Sequence, residues 1–143
     1  MRHRTAPYFI SALCLSVTML ISSCEVKWDQ NGDLDGMWQM TEWRDNTGTI
    51  LATKEQGYYF CFQLQLLKFQ ESGKGAHYLS YFTATHDSLI IGRTYEWPAD
   101  SISPLSSLSK YGIPSDGRLH IDLLNSNHLI LSSSEGILTF RKY

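Results

Sequence analysis

The side chains that could carry catalysis or hold a metal are present but scattered along the sequence. His120 and Asp122 are two residues apart in an alternating stretch, so both face the same way and could contact one ion. Two ligands fall short of the four that a structural zinc site uses. Cys61 lies within an apolar strand pattern, which favours packing over a role as a nucleophile. The three serines at 132–134 are typical of a solvated strand end.

The sequence also lacks the motifs of the common enzyme classes. Gly-x-Ser-x-Gly, His-Glu-x-x-His and the glycine-rich dinucleotide turn do not occur in it. The acids Glu42, Asp87 and Asp122 are not paired as glycoside hydrolysis requires. The sequence therefore predicts a protein that is not an enzyme and that uses no metal and no cofactor.

One cysteine, Cys24, has a context that predicts covalent modification. Arg2 and Arg4 give the chain a positive start, and Tyr8–Ile21 is a short and mostly apolar run. This pattern is typical of a secretory signal and is too short for a comfortable membrane span. Ile21-Ser22-Ser23-Cys24 resembles a bacterial lipobox, in which small residues precede a cysteine that is lipidated. We therefore expect residues 1–23 to be a lipoprotein signal peptide and Cys24 to be the lipidation site.

A lipidated Cys24 makes the membrane the first predicted partner. Lipobox lipoproteins usually carry more than one acyl chain, and each buried methylene contributes about 0.8 kcal/mol, so release is very slow. We expect a lipid-anchored protein of the cell envelope, on the outer membrane. The acids and lysine within 25–29 loosely match a surface-export signal of the Bacteroidetes. The sequence leaves open whether the periplasmic or the cell-surface face carries the protein.

Processing at Cys24 also changes the cysteine inventory and the charge. Cys14 leaves with the signal and Cys24 carries lipid, so Cys61 is alone and no disulfide can form within the mature chain. Because the signal contains Arg2 and Arg4 and no acid, its removal takes the formal charge from −2 to −4. That sign argues against nucleic acid as a partner.

Alternating apolar and polar residues predict an all-β domain over residues 35–143, after a lipidated cysteine and linker at 24–34. The longest strand changes phase at Leu66-Leu67, where we expect a bulge that bends it. Seven or eight strands are predicted, at Gly36–Trp43, Thr49–Thr53, Tyr58–Gln70, Ala76–Thr85, Ser88–Tyr95, Leu119–Leu123, His128–Ser133 and Ile137–Tyr143.

Tight turns join most of these strands, which favours a small up-and-down antiparallel β-barrel or a sandwich. Pairing the last strand with the first would remove both edges, so we expect the barrel. One short helix is predicted before the last strands at Pro104–Gly112, where proline opens the segment and glycine ends it. Within it Leu105 and Leu108 share a face.

Gly36-Met37-Trp38 resembles the first strand of a lipocalin, where a Gly-x-Trp places an indole across the closed end of the barrel. The wider pattern resembles the lipocalin-like lipoproteins of the Bacteroidetes over residues 34–143. That resemblance implies a lipocalin-like barrel in which Gly36 and Trp38 close one end and Arg141 of the last strand lies against the indole. The further stretches that carry it are Tyr58–Leu67, Leu108–Ile113, Leu129–Leu131 and Leu138–Tyr143.

The apolar face of the predicted barrel supports two functions. Its members could line a cavity for a small apolar ligand, or they could fill a solid core. The first reading predicts a lipid-anchored binding module of lipocalin-like fold. The alternative is a non-enzymatic protein-interaction or inhibitor-like lipoprotein with an envelope protein as partner. The residues concerned are Met40, Phe60, Phe62, Leu64 and Leu66.

Three further aromatic residues, Trp43, Tyr95 and Trp97, lie near predicted loops. If exposed, they would suit contact with a protein or a glycan; otherwise they pack against the domain. Pull-down of the native lipoprotein separates the two functions, since a stoichiometric protein favours the interaction protein and copurified lipid favours the ligand carrier.

Overall fold

The computed structural model describes residues 30–143, so the predicted signal peptide and Cys24, the predicted lipidation site, lie outside the described residues. Short 3-10 helices span Gly32–Leu34, Lys54–Gln56 and Leu105–Tyr111. In this part of the chain no helix has the length and apolar character needed to cross a membrane. The strands are β1 (Gly36–Arg44), β2 (Ile50–Thr53), β3 (Tyr58–Gln63), β4 (Leu66–Glu71), β5 (His77–Ala84), β6 (Ser88–Trp97), β7 (Ser101–Ser103), β8 (Arg118–Leu124), β9 (His128–Ser133) and β10 (Gly136–Lys142).

Eight of these strands form a closed antiparallel barrel in the order β1-β3-β4-β5-β6-β8-β9-β10. The barrel closes because β10 returns to β1, with Trp38 opposite Lys142 and Met40 opposite Phe140. The predicted pairing of the last strand with the first is therefore confirmed, and the barrel rather than the sandwich is the fold. The short strands β2 and β7 add to the outside of this ring, on β1 and β6 respectively.

The predicted long strand Tyr58–Gln70 is wrong, because the chain reverses in the middle of it. Gln63 of β3 pairs with Leu66 of β4, so only Leu64 and Gln65 form the turn. Leu64 adopts a φ of 56°, the left-handed conformation that a two-residue hairpin requires. The change of phase at Leu66-Leu67 is thus the start of a new strand and not a bulge. Leu67 and Phe69 face the interior in place of Leu64 and Leu66.

Antiparallel order gives the barrel two distinct ends. The lower end holds the start of β1 and the turns at 64–65, 85–87 and 125–127. The upper end holds the turns at 72–76 and 134–135 and the long connection from β6 to β8. This connection contains the predicted helix, which is confirmed as the 3-10 helix Leu105–Tyr111, preceded by Pro104 and ended by Gly112 at a φ of 76°. The 3-10 helix Gly32–Leu34 lies at the lower end, immediately before β1.

Candidate functional site

Trp38 closes the lower end of the barrel, as the Gly-x-Trp pattern predicts. Its side chain is fully buried, and the indole Nε1 donates a 2.8 Å hydrogen bond to the carbonyl oxygen of Leu34. The Nζ atom of Lys142 lies 4.3 Å from the centre of the indole. The same ammonium donates to the carbonyl oxygens of Asp33, at 2.9 Å, and of Asp35. One lysine therefore joins the last strand, the first strand and the 3-10 helix before it.

Gly36 is required by this arrangement. Its φ of +115° is a conformation that side chains with a Cβ rarely adopt. A Cβ at this position would lie 3.0 Å from Cε of Lys142, which is tighter than ordinary packing. Glycine two residues before the tryptophan thus lets the lysine chain pass over the indole.

The expectation that Arg141 lies against the indole is wrong, because Arg141 points outward. Phe140 is buried in the barrel and Lys142 lies over the indole, and alternation along β10 places the residue between them on the other face. Arg141 pairs with Gln39, and its Nε donates a 2.8 Å hydrogen bond to Oε1 of that side chain. Arg141 therefore still links the first and last strands, but on the outside of the barrel.

A double-mutant cycle should detect the Lys142–Trp38 contact. We expect Lys142→Ala to cost less stability in the Trp38→Ala background than in the natural protein, by about 0.5–2 kcal/mol, the range for a cation over an aromatic ring. Arg141→Ala should cost the same in both backgrounds, because its partner is Gln39. Urea unfolding of the variants measures both terms. Coupling between Trp38 and Arg141, without coupling between Trp38 and Lys142, would contradict the assignment of Lys142 as the cation over the indole.

The interior of the barrel is filled by side chains. Met40, Phe60 and Phe62, three of the predicted lining residues, are at most 2% exposed. The ring of Phe60 lies 4.7 Å from Phe69 on the paired strand and 4.7 Å from Phe140 on β10, centre to centre, so the aromatic rings of nearby strands contact one another inside the barrel. These distances are those of packed aromatic pairs.

Leu64 and Leu66, the other two predicted lining residues, lie outside the barrel. They are 37% and 41% exposed. The physical reason is the hairpin at Leu64-Gln65, which reverses the direction of the chain and resets which positions of the following strand face inward. The prediction that these two leucines line the interior is therefore wrong.

The upper end is closed by a segment that we call the plug, residues 105–114. Leu108, Tyr111 and Ile113 of the plug are at most 2% exposed. The Tyr111 ring lies 5.0 Å from Tyr58 and 5.4 Å from Phe69, centre to centre, so it enters the mouth of the barrel. Burial there raises the pKa of the Tyr111 phenol. The shared face of two leucines indicated a helical turn in the sequence, but nothing in that pattern indicated that Tyr111 enters the barrel.

Clefts of about 220 to 370 Å³ lie on the outer wall and around the rims. One of 260 Å³ at the upper end lies beside the plug, between β4, β5 and β6. Lys110 and Glu71 form a 3.2 Å ion pair on its wall. His77, which also lines it, stacks on Trp97 with 6.1 Å between ring centres. Trp97 is 49% exposed, so the tryptophan predicted to lie near a loop presents its indole to solvent.

The polar residues considered for metal binding and catalysis do not assemble into a site within residues 30–143. His120 and Asp122 share a face, and Nδ1 of the histidine lies 2.8 Å from the carboxylate of Asp122 on the exposed surface. No group of three or more His, Cys, Asp or Glu side chains in this range could hold a metal. Cys61 is half-buried on the outer wall, and burial raises the pKa of its thiol, which disfavours the reactive thiolate.

A comparison of the sequence with protein families agrees with the closed barrel and with the tryptophan at its lower end. A family model described as "Lipocalin-like domain" matches residues 19–143. The chain belongs to this lipocalin-like family. Nothing among the curated proteins matches it.

Solved structures share the lipocalin-like fold. A lipocalin-like protein from Bacteroides uniformis superposes with a TM-score of 0.60 at 18% identity, covering 78% of this chain and all of that one. An uncharacterized protein from Bacteroides eggerthii gives 0.54 at 19% identity, covering 76% of this chain and 98% of the other. At such identities the likeness concerns the fold alone. A lipocalin-like barrel is a fold compatible with binding a small ligand. Whether side chains fill the interior of this barrel is therefore the feature that separates a ligand carrier from a protein with a solid core.

Proposed function

We propose that this lipocalin-like protein is a lipid-anchored, non-enzymatic binding module of the cell envelope that recognises another envelope protein with the outside of its barrel. The observation that carries the proposal is the filled interior. Trp38 and its lysine close one end, the plug closes the other, and packed aromatic rings lie between them.

A small ligand inside the barrel would need room that side chains now occupy. Ligand sites are usually concavities of about 300–1,000 Å³ that surround most of the ligand. The four clefts described above have volumes of about 220 to 370 Å³, but they lie on the wall and the rims. The apolar face predicted from the sequence thus supports the solid-core alternative better than the ligand carrier.

The best candidate for protein contact is an outer surface near the upper end, which we call the contact face. It is continuous because Leu79 pairs with Tyr95 and Tyr95 with Ile102, while His77 pairs with Trp97 on the same side. Ile102 is 71% exposed and Trp97 is 49% exposed. Aromatic side chains surrounded by polar groups are typical of the centre of protein interfaces. The members of the contact face are His77, Leu79, Tyr95, Trp97 and Ile102.

Site-specific crosslinking in cells tests the contact face. A photo-crosslinking amino acid placed at Ile102 should yield one crosslinked protein, whereas the same group at Ile50 on β2, itself 48% exposed, should yield none. Trp97→Ala should abolish the product from position 102. The proposal fails if both positions crosslink equally, or if natively extracted protein holds a stoichiometric small molecule and no crosslink forms.

The lipid anchor has its own test. We expect Cys24→Ser to abolish incorporation of labelled palmitate and to leave the precursor without a diacylglyceryl group, because the sulfur is the acceptor. Metabolic labelling followed by mass spectrometry of the N-terminal peptide measures this. Cys61→Ser is the matched control and should keep the label. Palmitate on the Cys24→Ser protein would contradict the lipobox assignment.

A further inference from the structure

We propose that the lower end of the barrel rests on the membrane that holds the protein, with the β3–β4 hairpin in contact with lipid. The contacting side chains are Leu64, Leu66 and Tyr81, which we call the hairpin face. The inference rests on the lipid anchor proposed above and adds to it an orientation of the barrel, with the hairpin face toward lipid. The contact face continues from it toward the upper end, since the rings of Tyr81 and Tyr95 lie 6.4 Å apart, centre to centre.

The chain enters the barrel beside the hairpin face. Asn31 donates a 2.8 Å hydrogen bond from Nδ2 to the carbonyl oxygen of Leu64. Gln30 and Asn31 also form one side of a 370 Å³ cleft whose other side includes Leu64 and Tyr81. The start of the described chain is thus fixed to the tip of the hairpin.

The tether is too short to allow the lower end to lie far from the lipid. Six residues separate Cys24 from Gln30. Since an extended chain spans at most about 3.6 Å per residue, the acylated cysteine lies within about 22 Å of this cleft. The segment between the anchor and the barrel therefore holds the lower end next to the bilayer.

The hairpin face is apolar and exposed where the tether emerges. Leu64, Leu66 and Tyr81 are 37%, 41% and 50% exposed. Leu66 and Tyr81 are opposite one another on paired strands, and Leu64 lies in the adjacent turn. Clustered apolar side chains at the surface mark sites of contact with membranes or proteins, whereas single ones need no explanation.

The backbone at Leu64 supports the same interpretation. Its φ of 56° is a conformation in which asparagine or glycine is usual and a leucine carries strain. The leucine side chain is also partly exposed to water. Both its backbone conformation and its exposure are therefore unfavourable in an isolated domain. Contact with lipid would give the exposed side chain an apolar environment.

Lys68 adds a group suited to the lipid headgroup. It follows Leu66 by two residues, so it lies on the same outer face of β4, and it lines a 290 Å³ cleft together with both leucines. Lysine can lay its methylenes along apolar surface while its ammonium reaches a phosphate. Leucines with an adjacent lysine match the boundary between acyl chains and headgroups.

Fluorescence quenching on vesicles tests this orientation. The lipidated protein with Cys61→Ala is reconstituted into phosphatidylethanolamine–phosphatidylglycerol vesicles that contain doxyl-labelled lipid. An environment-sensitive fluorophore is attached to the Leu66→Cys variant or, as a control, to the Ile137→Cys variant. Ile137 is 46% exposed on the upper part of β10. We expect emission at position 66 to shift to the blue and to be quenched, and emission at position 137 to do neither.

A second variant tests whether the leucine side chain itself makes the contact. Leu64→Asn should reduce quenching at position 66 without lowering the unfolding temperature, because asparagine tolerates the positive φ. Leu51→Asn, on β2 at a position 47% exposed, should leave the quenching unchanged. Loss of quenching with both variants, or with neither, would overturn the contact.

Co-flotation of the protein with the vesicles tests the lipid anchor separately from the membrane contact of the hairpin face. Flotation with quenching at position 66 alone supports the membrane contact. If the protein floats but both positions are quenched equally, or neither is quenched, the orientation is wrong and the anchor stands. If the protein does not float, the anchor itself is wrong and the membrane contact fails with it.

Discussion

Replacing Trp38 with alanine should lower the free energy of unfolding by about 3–5 kcal/mol, the usual cost of emptying a large aromatic site in a core. The indole is fully buried and its Nε1 bonds the carbonyl of Leu34, so the variant loses packing and leaves that oxygen without its donor. Small domains have about 5–15 kcal/mol of stability in total. The loss should therefore lower the urea concentration at the midpoint of unfolding by a large amount.

Trp97→Ala is the matched control for this variant. The Trp97 indole is 49% exposed and stacks on His77 rather than lying in the core. Its removal should cost less than about 1 kcal/mol, because substitutions at exposed sites rarely cost more. Equal losses at the two tryptophans would show that the Gly-x-Trp does not close the barrel.

Tyr111→Ala should have a comparable effect, about 3–5 kcal/mol, because it removes the ring that fills the upper mouth. The vacated space would be bordered by Tyr58, Phe60 and Phe69, whose rings now contact Tyr111. Apolar cavities of this kind bind small apolar molecules. Benzene should therefore raise the unfolding temperature of the variant and leave that of the natural protein unchanged. Thermal unfolding with and without benzene measures both effects.

Lys110→Ala is the control for Tyr111→Ala, since the two residues are neighbours in the plug. Lys110 is exposed, forms a surface ion pair with Glu71, and has its Nζ atom 4.9 Å from the centre of the Tyr111 ring, a contact worth about 0.5–1 kcal/mol at an exposed site. Surface ion pairs are worth about 0–1 kcal/mol, so the loss from both contacts should stay well below that of Tyr111→Ala. Benzene should have no effect, because the Tyr111 ring stays in place. A mild effect of Tyr111→Ala would mean that the plug contributes little to closing the barrel. The ligand-carrier function would then gain support.

The sequence was sufficient for the architecture because strand alternation and turn residues are local signals. The glycines at 73 and 75 marked the β4–β5 turn, and Asn125-Ser126-Asn127 marked the β8–β9 turn. Trp38 and Gly36 could be assigned to the closed end because Gly36-Met37-Trp38 resembles the Gly-x-Trp of the first lipocalin strand.

The β3–β4 hairpin could not be read in the same way. Its turn consists of Leu64 and Gln65, neither of which favours a turn, and apolar residues continue on both sides. Pairing between the two strands stabilises the reversal there, together with hydrogen bonds from Asn31 to the Leu64 carbonyl and from the Phe82 N–H to the Gln65 carbonyl. Two predicted lining residues were misplaced as a result.

By itself the sequence determined an all-β domain and favoured a barrel closed by its last strand over a sandwich, because strand periodicity and turn residues are local signals. The position of the tryptophan at the closed end followed from the resemblance of Gly36-Met37-Trp38 to the first strand of a lipocalin. Tertiary structure alone decided which cation covers the indole. Arg141 and Lys142 are adjacent cations, and only the register of β10 against β1 places Lys142 opposite Trp38. It also decided that the interior is filled, because Tyr111 enters the barrel from a segment distant in sequence from the strands that it contacts. Such contacts depend on which distant parts of the chain meet, and a local sequence pattern does not indicate this.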